Sequence, residues 1–185
     1  MPKGAPEDPL DPRFILGHAK SLITSTGGGR PPTIDARRAA SAAYYAAYHT
    51  VTKAASYFLF GESWINGVRW FSHKAVFDAS RLVSRLGPPH APDPGRDPDR
   101  VRDHAVWSIF RDAGGAKPDL LDTMEALRSL KVERETSDYD RTQRVSRATA
   151  RELVDKAELV HAFFESSRTD DADTRVFLAL AALKT

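Results

Sequence analysis

The stretch from Asp35 to Phe60, DARRAASAAYYAAYHTVTKAASYFLF, decides the fold of this chain. Its 26 positions hold no glycine or proline and are dominated by alanine, the best helix former. Apolar residues recur at helical spacing through Ala40, Tyr44, Ala47, Tyr48, Val51, Ala55, Phe58 and Leu59. The pattern predicts one long helix with a broad buried face, capped at Thr33 or Asp35 and ended by Gly61. Alanine lets neighbouring helices come close. Tyr44, Tyr45, Tyr48 and His49 put phenol and imidazole groups on or beside the same face, where each polar tip needs a partner.

Upstream, residues 1–12 are proline-rich and read as a flexible N-terminal arm, so a single domain is expected over 13–185. Asp11 or a neighbour starts a short helix to Ile23 with Phe14, Leu16, Leu22 and Ile23 as its apolar residues. Gly27, Gly28 and Gly29 then read as a hinge. A phosphate-binding loop needs a strand before the glycines and a Lys-Ser/Thr after them, and the sequence has neither.

Downstream, Val68 to Leu86 shows a 3.6-residue apolar period and predicts a second long helix after an Asn66-Gly67 turn. The prolines between Gly87 and Gly95 forbid a helix there. Further helices are expected from Asp97-Pro98 to Gly114, from Pro118 to a frayed end near Ser137, from about Ser146 to Ser166, and from an acidic start at Asp170–Asp173 to Leu183. No segment alternates with period two, so the expected class is all-α: an antiparallel helical bundle of about five to seven helices.

Composition narrows the function classes without choosing one. Hydrophobic residues at 41% and charged residues at 28% suit a globular chain of 185 residues. A net charge of +2 permits an anionic partner but does not demand one. The absence of cysteine excludes disulfides, cysteine metal sites and cysteine nucleophiles. The N-terminus lacks an apolar signal core and no 18-residue apolar run occurs, so a cytoplasmic protein with no membrane contact and no cofactor is expected.

Three segments carry a family resemblance. Arg38-Ala-Ala-Ser41-Ala-Ala-Tyr44-Tyr45-Ala-Ala-Tyr48-His49 resembles the R-x-x-S-x-x-Y-Y-A-x-F-H helix of small bacterial HEPN-like proteins. Arg69-Trp-Phe-Ser-His73-Lys74 and Arg134-Glu-Thr-Ser-Asp138-Tyr139-Asp140 resemble two later parts of the same pattern, in the same order. The resemblance implies a HEPN-like bundle, with an active cleft built between the protomers of a homodimer. In catalytic members an Arg and a His cleave RNA without metal, the His moving protons for the 2′-hydroxyl and the Arg holding the phosphate. On this reading Arg69 and His73, four apart on one predicted helix face, are the catalytic pair. Arg38, Tyr45, His49, Arg134, Asp138 and Tyr139 are the nucleotide- or RNA-binding residues.

Arg69 and His73 enclose three residues where catalytic members have four to six, and Arg85 and His90 meet that spacing only across two prolines. Two functions therefore stand side by side. One is a metal-independent ribonuclease of a toxin or defence system, with a cognate antitoxin-like protein as a partner. The other is a non-catalytic module that binds nucleotide, RNA or protein through the same cleft. Structural roles compete for the same residues: a hydrogen-bonded core stripe for the tyrosines and His49, and a salt bridge between facing helices for Arg38, Arg134 and Asp138. Arg141, Arg144, Arg147 and Arg151 would form a basic stripe for a phosphate backbone if their helix began by Thr142. Trp64, Trp70 and Trp107 offer stacking surfaces, although core packing is the commoner use of helical tryptophans.

Overall fold

The computed structural model describes residues 11–24, 32–61, 71–84, 98–112, 114–139, 142, 144–166 and 170–183. Among them, seven α-helices and no strand are found: α1 (Pro12–Thr24), α2 (Pro32–Phe60), α3 (His73–Ser84), α4 (Pro98–Asp112), α5 (Pro118–Tyr139), α6 (Arg147–Glu165) and α7 (Ala172–Leu183). The protein is an all-α helical bundle.

Helix α2 is the centre. It packs against α1, α5, α6 and α7 and touches α3, while α3 lies across α5 and α7. The reason is the small-residue surface read from the sequence: Ala39, Ala40, Ala43, Ala47, Val51 and Ala55 are completely buried. Around that seam Leu120, Met124, Leu127 and Leu130 of α5, Leu153, Val154, Ala157 and Val160 of α6 and Phe177 and Leu178 of α7 complete one continuous core. Phe110 of α4 and Val76 and Val83 of α3 join it.

Local chemistry sets the helix ends. Asp11 starts α1: its Oδ1 accepts from the Arg13 backbone N–H at 2.9 Å, and its carboxylate also grips the Arg13 guanidinium. That grip holds the Asp11 pKa down at about 2. Helix α2 begins at Pro32, a residue whose fixed φ suits a first turn, so the start lies earlier than a Thr33 or Asp35 cap. Gly61 ends it at φ +54°. Ser146 caps α6 by accepting from the Thr149 N–H, and Ser166 closes it. The buried Asp173 ties α7 to the start of α5, accepting from the Lys117 and Thr174 N–H groups at 2.8 and 2.9 Å.

Several expectations need correction. Asp11 and Pro12, assigned to the arm, belong to the folded body and are buried. Phe14 and Leu59 point outward, 79% and 47% exposed; in α1 the inner face is formed by Leu16, Ala19 and Ile23 instead. Trp107 is half-buried under Arg111, whose guanidinium lies 5.1 Å from its ring, rather than in the core. Helix α5 continues through Ser137 to Tyr139, so Asp138 and Tyr139 lie in its last turn rather than at a corner. Helix α6 starts at Arg147, so Arg144 is not on it and the arginine stripe does not form. The expected hinge at Gly27–Gly29, the Asn66-Gly67 turn, the proline segment, Trp64, Trp70, Asp140 and Arg141 lie outside the described residues.

Candidate functional site

The polar face of α2 meets the start of α3 and the end of α5 at one place. Tyr44, Tyr45, Tyr48 and His49 come from two successive turns of α2. His73 is the first residue of α3, and Arg134, Asp138 and Tyr139 follow one another along the last turns of α5.

His73 is held from two sides. Its ring stacks on Tyr48, with 3.8 Å between centroids and 13° between planes, and its Nδ1 lies 2.7 Å from the Tyr44 hydroxyl. Tyr44 is 4% exposed, and His73 Nδ1 is the partner its hydroxyl finds among the described residues. A buried phenol needs an acceptor, and on that ground we assign the Tyr44 O–H as donor to Nδ1. The neutral ring then carries its proton on Nε2, the nitrogen turned away from Tyr44. Burial pushes the Tyr44 phenol well above its ordinary range and the Tyr48 phenol up to about 12, so both stay protonated. The His73 pKa is pulled below its usual 6.5, first by desolvation and then by the positive charges of Arg134, His49 and Lys131. The exposed imidazole is therefore neutral at neutral pH.

Why α3 starts here also follows from the site. Tyr48 donates its hydroxyl hydrogen bond to the Phe71 carbonyl at 2.7 Å, and the Ser72 hydroxyl accepts from the Ala75 N–H at 3.0 Å, capping the helix. Phe71 and Ser72 are thus not helical. The helix predicted from Val68 to Leu86 thus has its start at His73, with Phe71 and Ser72 ahead of it. Arg69 itself, like Arg85 and His90, lies outside the described residues.

Arg134 is the second centre. Its Nη2 donates to the Tyr45 hydroxyl at 2.9 Å, and its Nε stands 2.7 Å from Asp138 Oδ2. That N–H is not aimed at the oxygen, which makes the contact an ion pair rather than a hydrogen bond. The guanidinium also faces the rings of Tyr44, Tyr45 and Tyr139 at 5.9, 5.5 and 5.4 Å. Tyr45, Asp138 and Tyr139 hold Arg134 more firmly charged, against the opposing effect of burial. The expected salt bridge between facing helices is corrected accordingly. The Arg134–Asp138 pair lies within α5, and bonds that cross to α2 include Arg134 to Tyr45, Arg37 Nε to the Ser137 carbonyl at 2.7 Å and the Ser41 hydroxyl to Asp138 Oδ2 at 3.4 Å.

Beside this cluster runs an open groove of about 810 Å³ between α1, α2 and the end of α5. Arg38, Ser41, Tyr45 and Asp138 line it, together with Arg37, His18, Ile15 and Ile34. Of the residues expected to act together, His73, Tyr45, His49, Arg134, Asp138 and Tyr139 gather around the aromatic cluster, and Arg38 stands exposed on the groove wall. Sequence reasoning missed Arg37 and His18. Arg37 sits next to the motif arginine and its signal was only its place on the same helix face; nothing in the α1 sequence marked His18. No group of three or more His, Asp or Glu that could hold a metal occurs among the described residues, and no described helix is long and apolar enough to cross a membrane. Comparison of the chain with protein-family models, with curated proteins and with solved structures finds no match.

Proposed function

We propose that this chain is a HEPN-like module that binds the phosphate of a nucleotide or an RNA strand in the groove beside His73 and Arg134. The observation that carries this reading is the pairing of His73 with Tyr44. A ring fixed at Nδ1 by a phenol donor offers Nε2–H outward, and an N–H is what a phosphate oxygen accepts. Arg37 and Arg38 on the groove wall, and Arg134 behind Tyr45 and Asp138, add positive potential, with Asp138 as a partial counterweight. Tyr45 and Tyr139 supply faces on which a base can stack.

Metal-independent RNA cleavage is a second reading, favoured by one observation. His73 is exposed and its pKa is lowered, so the ring is uncharged and able to take a proton from a 2′-hydroxyl once its tautomer reverses. A homodimer and a cognate partner protein belong to both readings as proposals drawn from the family resemblance.

The test is direct. Purified protein is expected to carry excess absorbance at 260 nm from bound nucleotide or RNA, and His73→Ala and Arg134→Gln are expected to lose it. RNA incubated with the protein and EDTA and left intact supports binding alone; 2′,3′-cyclic phosphate ends that vanish in His73→Ala establish cleavage. Protein that shows neither bound nucleotide, nor RNA affinity, nor cleavage overturns the proposal.

A further inference from the structure

A second cavity opens where the C-terminal half of α2 meets the end of α6 and the start of α7. It holds about 390 Å³, within the range of small-ligand sites and equivalent to roughly a dozen water-sized volumes. Lys53, on its wall, follows Tyr44 by nine residues, two and a half helical turns, so the cavity lies on the opposite side of α2 from the His73 cluster.

Its lining divides cleanly by chemistry. Phe58 and the buried Phe164 give an aromatic wall. Arg175 and Lys53 bring two cations to the rim, and Glu165 and Asp170 bring two carboxylates. Elsewhere on this surface charges neutralise one another in pairs such as Lys74–Asp78, Lys117–Asp171 and Lys131–Glu135. Among the described residues Arg175, Glu165 and Asp170 form no ion pair, although all three border one small cavity; Arg175 instead lies over the Phe58 ring at 5.4 Å. A guanidinium and two carboxylates that converge on one cavity without pairing with each other, beside an aromatic wall, match a ligand that carries both charges itself.

We propose that this cavity binds a small aromatic zwitterion, with its ring against Phe58 and Phe164, its carboxylate on Arg175 and Lys53, and its ammonium on Glu165 and Asp170. Cation–π contact keeps the guanidinium extended over the ring it shares with the ligand. The site is independent of the nucleotide reading of the His73 groove.

The probe is L-tryptophan, titrated into the 15N-labelled full chain. Amides of residues 53–58, 164–166 and 170–175 are expected to shift with a dissociation constant on the order of a millimolar, the scale that a ligand of this size reaches. Indole-3-propionate, which lacks the ammonium, and tryptamine, which lacks the carboxylate, are each expected to bind at least about fivefold more weakly. Arg175→Gln should weaken L-tryptophan about tenfold, the loss of a charge-assisted hydrogen bond, while leaving tryptamine unaffected. Ala54→Phe, which fills the cavity, should abolish the shifts in a protein whose other amides stay in place. The proposal is overturned if these amides stay still, if both half-charged analogues bind as well as L-tryptophan, or if Arg175→Gln binds it unchanged. Amides around Tyr45 and Arg134 serve as the control, since their response reports on the other groove.

Discussion

Replacing Tyr44 by Phe removes one atom from the His73 site and leaves its packing intact. The ring of Tyr44 is buried and stays; only the hydroxyl that lies 2.7 Å from His73 Nδ1 is lost. A net hydrogen bond of this kind contributes about 1 kcal/mol. In a chain of 185 residues that corresponds to a melting temperature lower by about 2–4 °C. The same energy favours the Nε2–H tautomer by about fivefold, because 1 kcal/mol changes an equilibrium by that factor. Nitrogen-15 correlation spectra of the His73 ring read this directly. In the wild type Nδ1 should give the shift of an unprotonated, hydrogen-bonded nitrogen and Nε2 that of an N–H. In Tyr44→Phe the two shifts should move toward each other as the tautomers mix. Nucleotide binding at Nε2 should weaken in parallel. A wild-type ring protonated on Nδ1, or a variant with unchanged ring shifts and unchanged melting, would refute the reasoning.

Three further outcomes are expected. The His73 pKa is lowered in the folded state, so the unfolded chain binds more protons between that value and 6.5, and stability should fall as pH drops through this window; urea midpoints at pH 7.5 and 5 should differ less in His73→Gln than in the wild type. Asp11 has its pKa held at about 2, so its contribution is complete above about 4 and is lost as pH falls toward 2. Because Arg13 is largely exposed, that contribution is on the order of 1 kcal/mol, and acid unfolding should begin at higher pH in Asp11→Asn. Asp173→Ala leaves the Lys117 and Thr174 N–H groups without their acceptor and should cost about 1–3 kcal/mol in chemical denaturation, with Asp173→Asn recovering part of it.

The fold was legible because the strongest signals were long and periodic. Alanine density and apolar spacing placed the body and the end of α2, and Pro98 and Pro118 marked the starts of α4 and α5. The failures were local. The apolar period that continued upstream of His73 could not reveal that the Phe71 carbonyl is taken by a phenol on another helix, which ends the helical pattern there. The α5 end was placed too early because Thr136 and Ser137 look like fraying residues; Thr136 in fact returns its hydroxyl to the Val132 carbonyl, and Arg37 anchors the Ser137 carbonyl from α2. Of the site, the convergence of the early tyrosines with Arg134 was readable from the motif order. The tautomer-setting role of Tyr44 was not, since it depends on a contact between residues 29 positions apart.

The alanine seam of α2 inverts the usual sensitivity of a protein interior. Most cores are damaged by deletion, when a large side chain is trimmed and a void is left. At Ala39, Ala40, Ala43 and Ala47 there is nothing to trim except a methyl group, and every exchange other than glycine adds atoms at a fully buried position. Divergence of this chain should therefore run outward from its middle helix, with drift tolerated in the surrounding rods and these four sites kept at the smallest side chain that still favours a helix.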